Sequence, residues 1–153
     1  MITIRVYPVD TIHGFLVWLF GSWTRRVNWH LIHWTIEVEV DELVQEYHLT
    51  GKGVSIEPMR TQPTRVWQFS CTRQETYEVI ERIQSVVDAR YICSYESLIK
   101  SLFQPVYPRV DTCLSFVVYC WIGSPMALGN YPLEFAVTLS EMEEMYEEGI
   151  RQG

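Results

Sequence analysis

The sequence predicts a single α+β domain, a mostly antiparallel sheet packed against segregated helices. Three observations predict it. Short alternating runs rich in β-branched residues, punctuated by Gly, Pro and Asp, dominate the first half. Capped segments with apolar residues at helical spacing follow them. No repeat, low-complexity stretch or long linker divides residues 1–153, a length that supports one hydrophobic core. Runs of strands followed by runs of helices, rather than strict alternation, give the α+β pattern.

Ile2 to Tyr7 alternates and reads as a strand that Pro8 ends. Asp10 or Thr11 caps a short helix to about Phe20, which Gly21-Ser22 breaks. Leu31 to Val40 is the clearest strand. Ile36, Val38 and Val40 fall on one face, and His33, Thr35, Glu37 and Glu39 on the other. Asp41-Glu42 turns the chain into an antiparallel return over Leu43 to Leu49. Gly51-Lys52-Gly53 is a second turn, before a short strand from Val54 to Ile56 that Pro58 ends. Arg65 to Ser70 is a further strand. Thr72-Arg73-Gln74-Glu75 is a capping box opening a helix with Tyr77, Ile80, Ile83 and Val87 at helical spacing. Tyr95 to Phe103 is a second helix, closed by Pro105. Asp111 or Thr112 caps a third, from Cys113 to about Ile122, stopped by Gly123 and Pro125. Thr138-Leu139-Ser140-Glu141 is another capping box, expected to open an acidic terminal helix.

A net charge of -7 argues against a nucleic-acid partner, because phosphate binding needs clustered Lys and Arg and Arg25-Arg26 is too small a patch. Glu141, Glu143, Glu144, Glu147 and Glu148 read as the solvated face of the terminal helix. The N-terminus lacks a basic segment followed by an apolar stretch and a cleavage site, so a cytoplasmic or virion-associated protein is expected. Phe15 to Phe20, the most apolar run, is far short of the ~20 residues that span a bilayer. It reads as a buried helix, and no transmembrane segment is expected. Cys71, Cys93, Cys113 and Cys120 follow no C-x-x-C or zinc-finger spacing, and free thiols are expected.

Cys113 follows a predicted N-cap and so occupies the first turn of an apolar helix. Unpaired N–H groups and the helix dipole favour an anion there, which is expected to lower the thiol pKa. The same N–H groups are placed to stabilise an oxyanion. Cys120 lies two turns inside the helix and has no such advantage. A thiol nucleophile also needs a base within hydrogen-bond reach and a group to orient that base. Of His13, His30, His33 and His48, His33 lies on the polar face of the strongest strand. His48 lies near the end of the strand expected to pair with it, so the two can approach across the ladder. Each alone reads more readily as a partly exposed strand histidine, and it is the two on neighbouring strands with a capped Cys that point to a site. As a metal pair they lack a carboxylate or thiolate at matching spacing, so no metal and no cofactor is expected.

These residues resemble a known family. His33-Trp34-Thr35-Ile36-Glu37-Val38 resembles the "H-(W/V)-(A/G)-I-Y-(V/L)" strand of the circularly permuted papain-like hydrolases. These include lecithin retinol acyltransferase, its phospholipase/acyltransferase relatives, and the bacterial permuted NlpC-type amidases. Trp18-Leu19-Phe20-Gly21-Ser22-Trp23 is similar to the "W-x-T-G-S" loop of the bacterial branch. Val44-Gln45-Glu46-Tyr47-His48-Leu49 resembles the "V-V-H-L" or "V-I-E-A" strand, and Gly51-Lys52-Gly53-Val54 with Pro58 resembles "G-x-G-V-x-x-x-P". Asp111-Thr112-Cys113-Leu114-Ser115-Phe116-Val117 is similar to "N-C-x-x-F-V", and Thr138-Leu139-Ser140-Glu141-Met142 to "T-P-x-D-L". The order, His strand before Cys helix, is that of the permuted form. The resemblance spans residues 11 to 145. Thr35 stands where the family has Ala or Gly, Asp111-Thr112 replace the Asn before Cys, and Leu114-Ser115 replace an acidic or His pair. The gap from His33 to His48 is also longer than in the acyltransferases.

The resemblance implies a permuted papain-like fold in which Cys113 attacks an acyl carbon, His33 accepts its proton and a third group orients His33. That group would be His48, as in the acyltransferases, or alternatively Glu46, as in the amidase-like branch; His48 is preferred. The implied activity is a cysteine-dependent hydrolase acting on an amide, in peptidoglycan or a related peptide, through an acyl-thioester. Two alternatives stand beside it. One is a lipid acyl hydrolase or acyltransferase. The other is a non-catalytic structural or binding subunit, for instance of a phage virion or surface assembly.

Overall fold

Along the first strand Ile2, Ile4 and Val6 alternate with Thr3, Arg5 and Tyr7, and this alternation sets the two faces of the sheet. The computed structural model describes residues 1–8, 32–59, 61–94, 96–97, 100, 109–124 and 132–152. Its strands are β1 (Ile2–Tyr7), β2 (His33–Val40), β3 (Leu43–Thr50), β4 (Gly53–Ser55) and β5 (Arg65–Phe69). They form one antiparallel sheet in the order β4-β3-β2-β1-β5. Among the described residues, three helices follow: α1 (Arg73–Asp88), α2 (Cys113–Ile122) and α3 (Pro132–Gln152). The class is α+β, as the order of patterns predicts.

Register carries the face assignment across the sheet. Ile4 pairs with Ile36 and Trp67, and Ile36 with Tyr47, so the apolar face is continuous. Ile2, Ile4, Val6, Trp34, Ile36, Leu49, Trp67 and Phe69 are buried there. The helices supply Val79, Ile83, Phe116, Val117, Phe135 and Leu139, which complete one core. Each fully buried large side chain stabilises the fold by roughly 1.5–3 kcal/mol. The other face carries Arg5, Tyr7, His33, Thr35, Glu37, Glu46 and His48.

Helix ends are set by local chemistry. Thr72 caps α1 in a reciprocal capping box with Glu75. Thr112 caps α2, its side chain accepting from the Ser115 N–H at 3.0 Å while Ser115 Oγ accepts from the Thr112 N–H at 3.0 Å. Gly123 ends α2 in the left-handed region (φ 96°), a conformation that favours Gly. Arg82 of α1 donates to the carbonyls of Cys120 and Trp121, holding the end of α2 against its neighbour. Edge strand β5 is covered by α3: the Gln68 N–H donates to Glu143 and the Trp67 indole to Ser140.

Two expectations are corrected. The terminal helix begins at Pro132 and not at the box Thr138–Glu141. Thr138 and Ser140 lie inside it, and their hydroxyls donate to the Glu134 and Ala136 carbonyls one turn back. Side chains bonded in that way do not cap. Pro at the first turn suits a helix start. On α1 the buried stripe is Thr76, Val79, Ile83 and Val86, whereas Tyr77 and Val87 are exposed. Both stripes have helical spacing; packing on the sheet selects the one that includes Val79. The helix expected to end near Phe20, the Gly21-Ser22 break, His13, His30, Arg25-Arg26 and most of Tyr95 to Phe103 lie outside the described residues. Among the described residues no helix is long and apolar enough to cross a membrane.

Candidate active site

His33 opens β2 and faces away from the apolar core, directly opposite Tyr7 in the β1–β2 ladder. His48 lies on β3 with the parity that points to the same side, and it is buried. The two rings meet: His33 Nε2 and His48 Nδ1 are 2.9 Å apart, with the ring planes at 89°. The other nitrogen of His48, Nε2, lies 3.2 Å from the Glu57 carbonyl. A carbonyl oxygen only accepts, so His48 Nε2 carries the proton. In the uncharged ring Nδ1 is then bare and accepts from His33 Nε2–H. This leaves His33 Nδ1 as an unprotonated acceptor, the state a general base requires.

Burial, and then the neighbouring His48, push the His33 pKa down from 6.5 to about 4. The ring is therefore neutral at physiological pH. An unfolded chain would bind the proton first, so protonation destabilises the fold as pH falls from 6.5 towards about 4. Above that window the ring makes no pH-dependent contribution.

Cys113 is the first residue of α2 and is buried. Its thiol donates to the Ile32 carbonyl, with sulfur and oxygen 3.6 Å apart. The backbone N–H groups of Trp34, Leu114 and Cys113 itself favour the thiolate. The sulfur thus sits on the main chain that flanks His33 on both sides. Burial outweighs these N–H groups, and the thiol pKa is raised, not lowered. This corrects the expectation from helix position alone: the first turn supplies the donors, but loss of water dominates. Thiol and imidazole are both neutral at rest, and the thiol proton is held by Ile32 rather than by the ring. Cys93 lies within electrostatic reach of Cys113; burial first, with Cys113 contributing, pushes its thiol up to about 12. All four cysteines are free thiols.

Glu46 shares the strand parity of His48 but serves another cluster. Its Oε2 accepts from Thr35 Oγ1 at 2.7 Å, Tyr7 OH at 2.8 Å and Arg5 Nη1 at 3.3 Å. Arg5 also forks onto Glu37 at 2.7 and 3.3 Å. Burial, with Glu46 adding to it, raises the Tyr7 pKa and keeps the hydroxyl a neutral donor. The cluster ties β1, β2 and β3 together beside His33 without touching its ring. Sequence reasoning assigns no role to Arg5, Tyr7 or the Glu57 carbonyl. Strand parity is the available signal for Arg5 and Tyr7, since both alternate with Ile4 and Val6. Of the two candidate orienting residues, His48 bonds the His33 ring, whereas the hydrogen bonds of Glu46 run to Thr35, Tyr7 and Arg5. Among the described residues no group of three or more His, Cys, Asp or Glu side chains is arranged to hold a metal ion. Comparison with known proteins adds no assignment, because no family model, curated protein or solved structure matches the chain.

Proposed function

We propose that the chain is a cysteine-dependent hydrolase of the permuted papain-like type, cleaving an amide or ester through an acyl-thioester on Cys113. The observation that carries the reading is the His33–His48 pair at 2.9 Å, one residue from the carbonyl that holds the Cys113 thiol. In the proposed reaction His33 Nδ1 takes the thiol proton as sulfur attacks the acyl carbon. The Cys113 thiol and the His33 ring are both neutral at rest, so the proton moves during attack and not before it. His48 Nδ1, accepting from His33 Nε2–H, holds the ring and steadies the imidazolium that forms. The N–H groups of the first turn of α2 face the developing oxyanion. Collapse breaks the carbon–nitrogen or carbon–oxygen bond, and the leaving group takes the proton from His33. Water, deprotonated by the same ring, then releases the acid and restores the thiol. A peptide amide, such as that of peptidoglycan, is the favoured substrate class.

A second reading, a non-catalytic subunit that retains the fold, draws support from the buried thiol and its raised pKa. The pH profile of ester and peptide hydrolysis separates the two. For the hydrolase, kcat/KM stays level down to about pH 5 and falls as pH drops through about 4, where His33 gains its proton. An acid limb near 6.5 would assign the base to an ordinary histidine, and absence of turnover at every pH would favour the subunit.

A further inference from the structure

The carbonyl that fixes the proton on His48 belongs to Glu57, an exposed residue that reaches the site through its main chain. A chain leaving a sheet has many directions open to it, so a carbonyl there needs to be held if it is to orient a ring. Two neighbours hold this one. Ser55, the last residue of β4, stands directly opposite His48 in the β3–β4 ladder. Its Oγ accepts from the Glu57 N–H at 3.1 Å, which fixes the near side of Glu57. Pro58 acts on the far side. Its ring restricts the preceding residue to extended backbone, and so limits where the Glu57 carbonyl can point. The peptide between Glu57 and Pro58 also lacks an N–H, so it offers His48 an acceptor and no competing donor. The oxygen aimed in this way lies 3.2 Å from His48 Nε2.

We propose that Ser55 and Pro58 are positioning residues: they hold the Glu57 carbonyl on His48 and thereby set the tautomer of both rings in the His33–His48 pair. The pair has two arrangements. With the proton on His48 Nε2, His48 Nδ1 accepts from His33 Nε2–H across 2.9 Å, and His33 Nδ1 is bare. With the proton on His48 Nδ1, the same contact reverses. His33 Nε2 must then accept, the His33 proton moves to Nδ1, and that atom has no lone pair left for a thiol proton. The His33–His48 contact serves either arrangement. Among the described residues the Glu57 carbonyl is the contact that selects the first. Its consequence for rate rests on the hydrolase reading; its consequence for the tautomer does not.

Long-range proton–nitrogen NMR of the imidazoles at mildly alkaline pH reads the tautomers directly. The wild-type protein should show His33 and His48 both protonated at Nε2. Ser55→Ala combined with Pro58→Ala should bring the Nδ1–H form of both rings into view together. Ser55→Thr, which keeps the hydroxyl, should show the wild-type pattern. Ser55 and Pro58 lie outside the buried core, so the double variant should keep its fold. Its kcat should fall about threefold to tenfold, the worth of one hydrogen bond, with KM unchanged. In a His48→Ala background the same two changes should cost nothing further, because they act through the His48 ring. An unaltered tautomer pattern in the double variant, or an equal loss of rate with and without the His48 ring, would overturn the proposal. A wild-type protein without turnover would sink the hydrolase reading, and the NMR comparison would then decide the tautomer lock by itself.

Discussion

Cys113→Ala is expected to abolish turnover of peptide and ester substrates, a loss on the order of 10⁴-fold or more. Under the proposed reading Cys113 is the nucleophile, and its thiol is the one bonded to the Ile32 carbonyl beside His33. His33→Ala should cost about 10³-fold, the usual worth of a positioned general base. His48→Ala should cost less, roughly 10²-fold, because it removes the partner that fixes the tautomer and orientation of His33 but leaves the base in place. Glu46→Gln should stay within a few-fold of wild type in kcat, since Glu46 bonds Thr35, Tyr7 and Arg5 and not the ring. Steady-state kinetics with far-UV circular dichroism on each variant checks the series. A Cys113→Ala protein with substantial residual turnover, or Glu46→Gln as damaging as His48→Ala, would contradict the assignment of roles.

Trp34→Ala is expected to destabilise the fold by about 3–5 kcal/mol, the range for truncating a buried aromatic. Trp34 is fully buried between Trp67, stacked at 5.7 Å and 8°, and Phe135 at 5.1 Å. It joins β2, β5 and α3, so a cavity there loosens three elements. Against a typical total of about 5–15 kcal/mol, much of the folding free energy is lost. Trp34→Phe should cost far less. It keeps an aromatic ring and removes an indole N–H that is buried with no partner. Urea denaturation midpoints of the two variants provide the comparison. A loss below about 1 kcal/mol for Trp34→Ala would mean that the core at this point is not close-packed.

Much of this site is legible in the sequence because strand parity and capping are local. Parity puts His33 and His48 on one face, and the register Ile36–Tyr47 makes them diagonal neighbours. The Thr112 cap puts Cys113 in a first turn. What is not legible depends on contacts between distant segments. Glu46 and His48 have the same parity, and only the lateral reach of Arg5, Tyr7 and Thr35 decides that Glu46 belongs to another cluster. The direction of the Cys113 shift reverses because burial, a property of the assembled core, outweighs the local N–H donors. The box Thr138–Glu141 misleads for a related reason. Its residue types suit a cap, yet the preceding residues from Pro132 onwards pack Phe135 and Ala136 into the core and extend the helix backwards.

The proposed activation of the Cys113 sulfur by the His33 ring is tested most directly by site-resolved mass spectrometry after brief exposure to p-nitrophenyl acetate near neutral pH. One acetyl group should appear on Cys113, accompanied by a burst of nitrophenolate, while Cys71, Cys93 and Cys120 stay unmodified. The acetylation rate should collapse in His33→Ala. Acetyl groups spread over the other thiols, or Cys113 acetylated as fast without the His33 ring as with it, would contradict a nucleophile activated by that base.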